Sequence, residues 1–411
     1  MAIVAVIGST YCRQEDVCRT VADKLGYDYL TSGKLLDNAS GLFEVPPKKL
    51  MRAMHQGPSV FNKFTHEREQ NIAFVRAALA EAIRKDNLVC EGFATLLLPK
   101  SLTHVLKVCL VASNEYRIAV AGETEGMKEK DAEKAIKKDD SELMQWSQHL
   151  YQLGPLDKSL YDVIIPMHSS SVEEAAAIIE ENAAKPALKT NPGAKKAAED
   201  FRTAAQVGIA LAKKGHDVEV SCEGGVATMV INNYTMRLDA LENELVEIAE
   251  GVEGVKSAQT KVGAGFHQPN IYFNLDVEMP KKVLLVDDEK DFVHVLSERL
   301  QTRSMESAIA YNGEEALSIL ETDEPEVMVL DLKMPGIDGI ETLRRVKKEH
   351  PETQVIILTG HGSEREEALA RELGAFAYLH KPVDIDVLAK TMKEAYRRAG
   401  EAKGKAGEGR K

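Results

Sequence analysis

Four short apolar runs in this chain each stop at residues able to handle a phosphoryl group. Val283–Val286 ends in Asp287-Asp288, Val327–Leu330 in Asp331, and Val355–Leu358 in Thr359, while Ala375–Leu379 runs into His380-Lys381-Pro382. If these runs are strands of an open parallel sheet, their carboxyl ends face one crevice, where such sheets bind ligands. The crevice then holds three carboxylates, a hydroxyl and an ammonium. Clustered carboxylates repel one another unless a cation sits among them, and an oxygen-only donor set with room for waters suits Mg²⁺. The metal and Lys381 would offset the charge of an incoming phosphoryl group, leaving Asp331 as the nucleophile that forms an aspartyl phosphate. Such catalysis is mostly positioning and electrostatics, so few side chains suffice. A single Asp at a strand end is usually a turn former or a helix cap. The coincidence of all these positions on strand tips decides for the chemical reading.

The elements that must position these groups follow from the pattern beyond Val283. Strand and helix alternate five times there, the signature of a parallel sheet covered on both faces. This stretch, residues 281–398, resembles the receiver domain of response regulators, a flavodoxin-like (βα)5 fold. The match is carried by VLLVDDEK, VMVLDLKMPGIDG, VIILTG and AYLHKP. The resemblance implies that Asp287 and Asp288 form the acidic pair and that the backbone carbonyl of Lys333 completes the metal site with Asp331. It further implies that Thr359 turns toward the phosphoryl group, that Lys381 contacts it, that the Lys381–Pro382 bond is cis, and that Tyr378 is the switch aromatic. The implied partners are a sensor histidine kinase or phosphotransfer protein as donor, and partner proteins on the switch face.

Residues 1–183 also alternate strands with helices. The opening, MAIVAVIGSTYCRQEDVCRTVADKLGYDYL, is the strand–loop–helix context of a phosphate loop, yet no glycine follows Gly8 before Gly26 and no lysine comes before Lys24. Without those glycines the backbone cannot wrap a phosphate, and without the lysine its charge goes unbalanced. The wider segment nonetheless resembles the cytidylate-kinase-like branch of the nucleoside monophosphate kinases, through LVCEGFATLLLP, VCLVASNEYRIAV and GPLDKSLYDVIIPMHSSSVEEAAAIIEE. Its lid stretch, about 122–145, carries Lys128, Lys130, Lys134, Lys137 and Lys138 but no arginine. A P-loop kinase-like fold that has lost catalysis is expected. Any bound nucleotide would meet Ser9, Thr10 and Arg13 at the helix entrance, since helix N-termini attract anions, and Arg117. The alternative is a nucleoside monophosphate kinase gated by the receiver.

Residues 184–197, with two prolines, a glycine and four lysines, read as a linker. Residues 198–279 follow as a small α/β segment with a helix (Glu199–Lys214), a Glu-Gly-Gly hairpin between Asp217–Cys222 and Val226–Asn232, a second helix and a strand near Val255–Val262. Within it, residues 200–263 resemble a BON domain, which implies a scaffold or binding role. His216 and His267 read as isolated structural or surface residues.

Composition bounds these readings. The chain has 411 residues, enough for two to four domains, with 44% hydrophobic and 28% charged residues, the profile of globular protein. A net charge of −13 argues against a DNA or RNA partner. No apolar run long enough to insert in a membrane occurs. Five dispersed cysteines without CxxC spacing argue for a reducing, cytoplasmic setting and against a zinc site. Residues 399–411 read as a flexible tail.

Overall fold

The structure is a computed structural model that describes residues 2–232, 235, 237–263, 266, 280, 282–301, 305–360 and 362–408. His267, Met279 and Lys281 lie outside these residues. Two compact units emerge, one formed by Met1–Gly57 with Arg68–Tyr272 and the other by Pro58–Glu67 with Phe273–Lys411.

The first unit is built on a parallel sheet of β1 (Ile3–Gly8), β2 (Asp28–Leu30), β3 (Leu88–Glu91), β4 (Val105–Val111) and β5 (Val163–Pro166), ordered β2-β3-β1-β4-β5. The central β1 pairs with β3 and β4, Ile3 lying opposite Leu88 and Val105. Ile3, Ala5 and Ile7 feed one core and Ala2, Val4 and Val6 the other. Side chains alternate across a strand, so a strand covered on both faces reads as the unbroken apolar run seen in the sequence. Helices Gln14–Leu25 and Val172–Ala183 cover one face, and Glu67–Ala82 contributes Ile72, Val75 and Leu79 to the other.

The stretch expected as a linker is partly helix. A helix spans Pro192–Lys213 rather than starting at Glu199, because Asn191 caps it by accepting the Ala194 N–H at 2.9 Å and Pro192 sits in its first turn. Ala198, Phe201 and Ala205 of this helix are buried in the same core as Leu79, which is why it does not behave as a tether. Beyond it, β6 (Glu219–Glu223) and β7 (Val226–Ile231) form the expected antiparallel hairpin, and β8 (Ser257–Val262) joins β7 in parallel. The turn needs Gly224 and Gly225, at φ +62° and +87°, because two successive residues in the left-handed region exclude most side chains. The Asp200 carboxylate accepts both of their N–H groups, at 3.0 and 3.3 Å. Helix Leu238–Glu250 crosses between β7 and β8 and buries Leu241, Leu245 and Ala249 against Ala227, Met229 and Ile231.

In the second unit, β9 (Val283–Val286), β10 (Ser307–Ala310), β11 (Val327–Leu330), β12 (Gln354–Thr359) and β13 (Ala377–His380) form a parallel sheet ordered β10-β9-β11-β12-β13. Every residue of β9 and β11 is buried. The strand order reverses at β9 and β11, which places the crevice at their carboxyl ends. Phe61, fully buried, belongs to this unit's core cluster with Leu284, Leu330 and Leu343. This segment lies within the span expected to be a single domain, residues 1–183. The last helix, Ile385–Glu408, runs through much of the stretch read as a flexible tail.

Candidate functional site

The ends of β9, β11 and β13 bring Asp287, Asp288, Asp331 and Lys381 together, and Thr359 ends β12 beside them in the sheet order. Carboxylate oxygens of Asp287, Asp288 and Asp331 lie within 4.8 Å of one another. Lys381 Nζ sits among them, 2.7 Å from Asp287 Oδ2, 3.1 Å from Asp331 Oδ2 and 3.1 Å from Glu289 Oε1. It also lies over the Phe292 ring, 4.4 Å from the centroid. Asp287, Asp331 and Thr359 are buried while Asp288 is exposed, so the site opens on one side. The Lys381–Pro382 peptide is cis.

Burial and the one ammonium among the carboxylates set the electrostatics of this cluster. Burial pushes the Asp287 carboxyl up, and the neighbouring Asp331 adds to this, while Lys381 and the Glu289 N–H pull it back. Burial works against the Lys381 ammonium, but its bonds to Asp287, Glu289 and Asp331 raise it well above the ordinary lysine value. Asp331 is oriented by the Leu332 N–H, which donates to Oδ1 at 2.6 Å. Gly339 makes room for this arrangement. A Cβ there would fall 2.2 Å from the Asp331 carbonyl oxygen and 2.6 Å from the Leu332 Cα.

Tyr378 is buried, with its ring edge-on to His380 at 5.3 Å. Its hydroxyl has no hydrogen-bond partner among the described residues. Burial, then Glu366, Glu367 and Asp331, raise its pKa. Glu289 and Phe292 were not anticipated. Glu289 directly follows the Asp pair, and that position was the available signal.

Residues 283–393 match the family described as the response regulator receiver domain. The chain carries a receiver domain. The receiver domain also resembles solved structures over its own length. A receiver domain protein from Clostridium thermocellum is 36% identical, covers 29% of this chain and 98% of its own, and gives a TM-score of 0.29. The receiver domain of the Francisella response regulator 1452 is 33% identical with a TM-score of 0.28, over 29% of this chain and 98% of its own. A CheY-like receiver domain protein from Methanospirillum hungatei JF-1 is 27% identical with a TM-score of 0.29, over 29% and 97%. Residues 3–169 match the cytidylate kinase-like family.

In the kinase-like segment the four residues expected to meet a nucleotide gather at the end of β1, but their cations are engaged internally. Arg117, buried, donates through both terminal nitrogens to Asp140, at 2.9 and 2.7 Å, and through Nε to the Thr10 carbonyl at 2.8 Å. Arg13 pairs with Glu123 and with Asp16. Tyr11 donates to Glu125 at 3.2 Å. The Ser9 N–H goes to Leu110 O, continuing the β1–β4 ladder. Acidic side chains from residues 122–145 thus hold the guanidinium groups of Arg13 and Arg117. Tyr11 and Arg13 take left-handed backbone conformations (φ 57° and 56°), so the loop makes its turn without the glycines that usually allow it. Cys12 and Cys18 are buried beneath this loop, and burial drives the Cys12 thiol up to about 12, which leaves it an unreactive neutral thiol. Among the described residues, no helix is long and apolar enough to cross a membrane.

Proposed function

We propose that the protein is a two-component response regulator in which Asp331 accepts a phosphoryl group from a histidine kinase or phosphotransfer protein. The observation that carries this reading is the convergence of Asp287, Asp331 and one ammonium, with Lys381 Nζ at 2.7 and 3.1 Å from the two carboxylates. A carboxylate oxygen of Asp331 attacks the phosphorus of the donor phosphohistidine, the P–N bond breaks, and the imidazole leaves with the electron pair. Lys381 then exchanges part of its carboxylate contacts for a phosphoryl oxygen. Asp287, Asp288, Asp331 and the carbonyl of Lys333 would hold Mg²⁺, whose chemistry is to neutralise charge on the transferring group. Their fit rests on the donor set itself, three carboxylates with one ammonium between them. Thr359, at the end of β12, turns toward the new phosphoryl oxygens, and Tyr378 responds by changing its packing. Its hydroxyl, without a hydrogen-bond partner among the described residues, fits a residue that has a second position to occupy.

The kinase-like segment serves as a sensing or output module, and the BON-like segment as an interaction module. A receiver-gated nucleoside monophosphate kinase is the second reading, favoured by the family match over residues 3–169. It is opposed by the engagement of Arg117 with Asp140. The acidic net charge, −13, disfavours DNA as a partner.

Acetyl phosphate with Mg²⁺ should label the wild type once per chain and leave Asp331→Asn unlabelled. Equal labelling of both proteins would sink the assignment.

A further inference from the structure

A second group of side chains able to hold a metal ion lies in the first unit, next to Asp140 and distinct from the residues that meet Arg13 and Arg117. His55, Asp139 and Glu142 each present one donor atom, all within 4.8 Å of one another and half-buried. His55 closes helix Pro47–His55, while Asp139 and Glu142 stand one turn apart on helix Glu129–Tyr151. Residues three apart share a helix face, so both carboxylates point at the same imidazole.

We propose that His55, Asp139 and Glu142 form a binding site for a divalent cation of the Zn²⁺, Co²⁺ or Mn²⁺ class. One imidazole nitrogen and two carboxylates are a mixed donor set that these ions accept and that Mg²⁺ does not seek. Tetrahedral coordination with bonds of about 2.0–2.2 Å places donors roughly 3.4 Å apart. The present spacing needs only small side-chain shifts to reach that, since His55 Nδ1 is already 2.9 Å from Glu142 Oε2.

The donors are held in place from outside the group, as ligands in metal sites usually are. The His55 ring is stacked on Phe93, with centroids 4.1 Å apart and planes 6° from parallel. Asp139 stands beside the Thr10 backbone N–H, which favours its charged form against the effect of burial. Glu142 lies 3.8 Å from Lys138 through its other oxygen, but Lys138 is 75% exposed and screens little. Asp140, next in the chain, is already taken by Arg117. Two carboxylates therefore share one imidazole, and a cation would relieve their mutual repulsion. Because Asp139 lies beside the Thr10 N–H, an ion here would sit next to the loop that follows β1.

The test is a Zn²⁺ titration of the full chain by calorimetry, with millimolar Mg²⁺ present to occupy the all-oxygen receiver site. One equivalent should bind to the wild type and to Asp331→Asn alike, with affinity at least tenfold weaker in His55→Gln and in Glu142→Gln. Zn²⁺ should raise the melting temperature of the wild type but not of either variant, and melting without metal shows whether each variant is folded. Co²⁺ should give a visible band characteristic of imidazole ligation that is lost in His55→Gln. Undiminished Zn²⁺ binding by folded His55→Gln and Glu142→Gln, or no saturable binding by the wild type, would overturn the proposal.

Discussion

Asp217 and Gly339 show how much a single position can reveal about the forces in this molecule. Burial, with Glu69 and Glu219 adding to it, pushes the Asp217 carboxyl up to about 7. The unfolded chain releases this proton near pH 4, whereas the folded chain keeps it to about pH 7. Between those values the folded state binds more protons, so the contribution is fully present below pH 4 and is lost as pH rises through 7. Asp217→Asn removes the dependence. The variant should match the wild type near pH 4 and exceed its stability at pH 8 by on the order of 1–2 kcal/mol, allowing for partial solvent screening. Urea unfolding at the two pH values checks this, and a difference that does not grow with pH would refute it. At Gly339 the obstacle to a side chain is backbone, the Asp331 carbonyl oxygen 2.2 Å from a Cβ, and cannot swing aside. Gly339→Ala should therefore cost the second unit about 2–3 kcal/mol and slow Asp331 labelling. A variant unchanged in both would show that the β11 tip is softer than its packing implies.

Among the elements, the central strands of the receiver domain were the most legible from sequence, because β9, β11 and nearly all of β12 are buried on both faces and so read as bounded apolar runs. The acidic pair, Asp331, Thr359 and Lys381 stood out for the same reason, being polar residues that interrupt those runs at one end. The helix Pro192–Lys213 was legible only in its second half. Its first turns carry Pro192, Gly193, Lys195 and Lys196, which locally imitate a linker, while the Asn191 cap and the buried Ala194 are too small a signal to outweigh them. What reveals the helix is its packing. Phe201 is 8% exposed and sits with Leu79 and Ala198 in the core beside β1. Phe201→Ala should lower the stability of the first unit by about 3 kcal/mol. A flexible tether would lose under 0.5 kcal/mol from the same change, so calorimetric melting of the variant separates the two descriptions.

At the scale of the whole molecule, one unit presents three carboxylates around one ammonium, and the other presents a kinase-like sheet whose Arg13 and Arg117 are already paired. Only part of that contrast could be read from sequence. The missing glycines and lysine after β1 were visible, but the pairing of Arg117 with Asp140 joins residues distant in the chain and carries no local pattern. That pairing makes the difference testable. Arg117 is 4% exposed at its side chain, so an incoming phosphate must displace Asp140 from a two-pronged hydrogen bond before it gains one of its own. Asp140 is 44% exposed, but its displacement still forfeits two charge-assisted hydrogen bonds for a single phosphate contact. The full chain, with or without acetyl phosphate, should therefore form no ADP from ATP in the presence of CMP. It should also show no rise in melting temperature with millimolar ATP and Mg²⁺. Turnover that appears only after Asp331 is phosphorylated would establish the receiver-gated kinase instead. Turnover independent of Asp331 would mean that the lid acids leave the loop readily, and that the pairing seen around Arg117 is only the resting arrangement of a working enzyme.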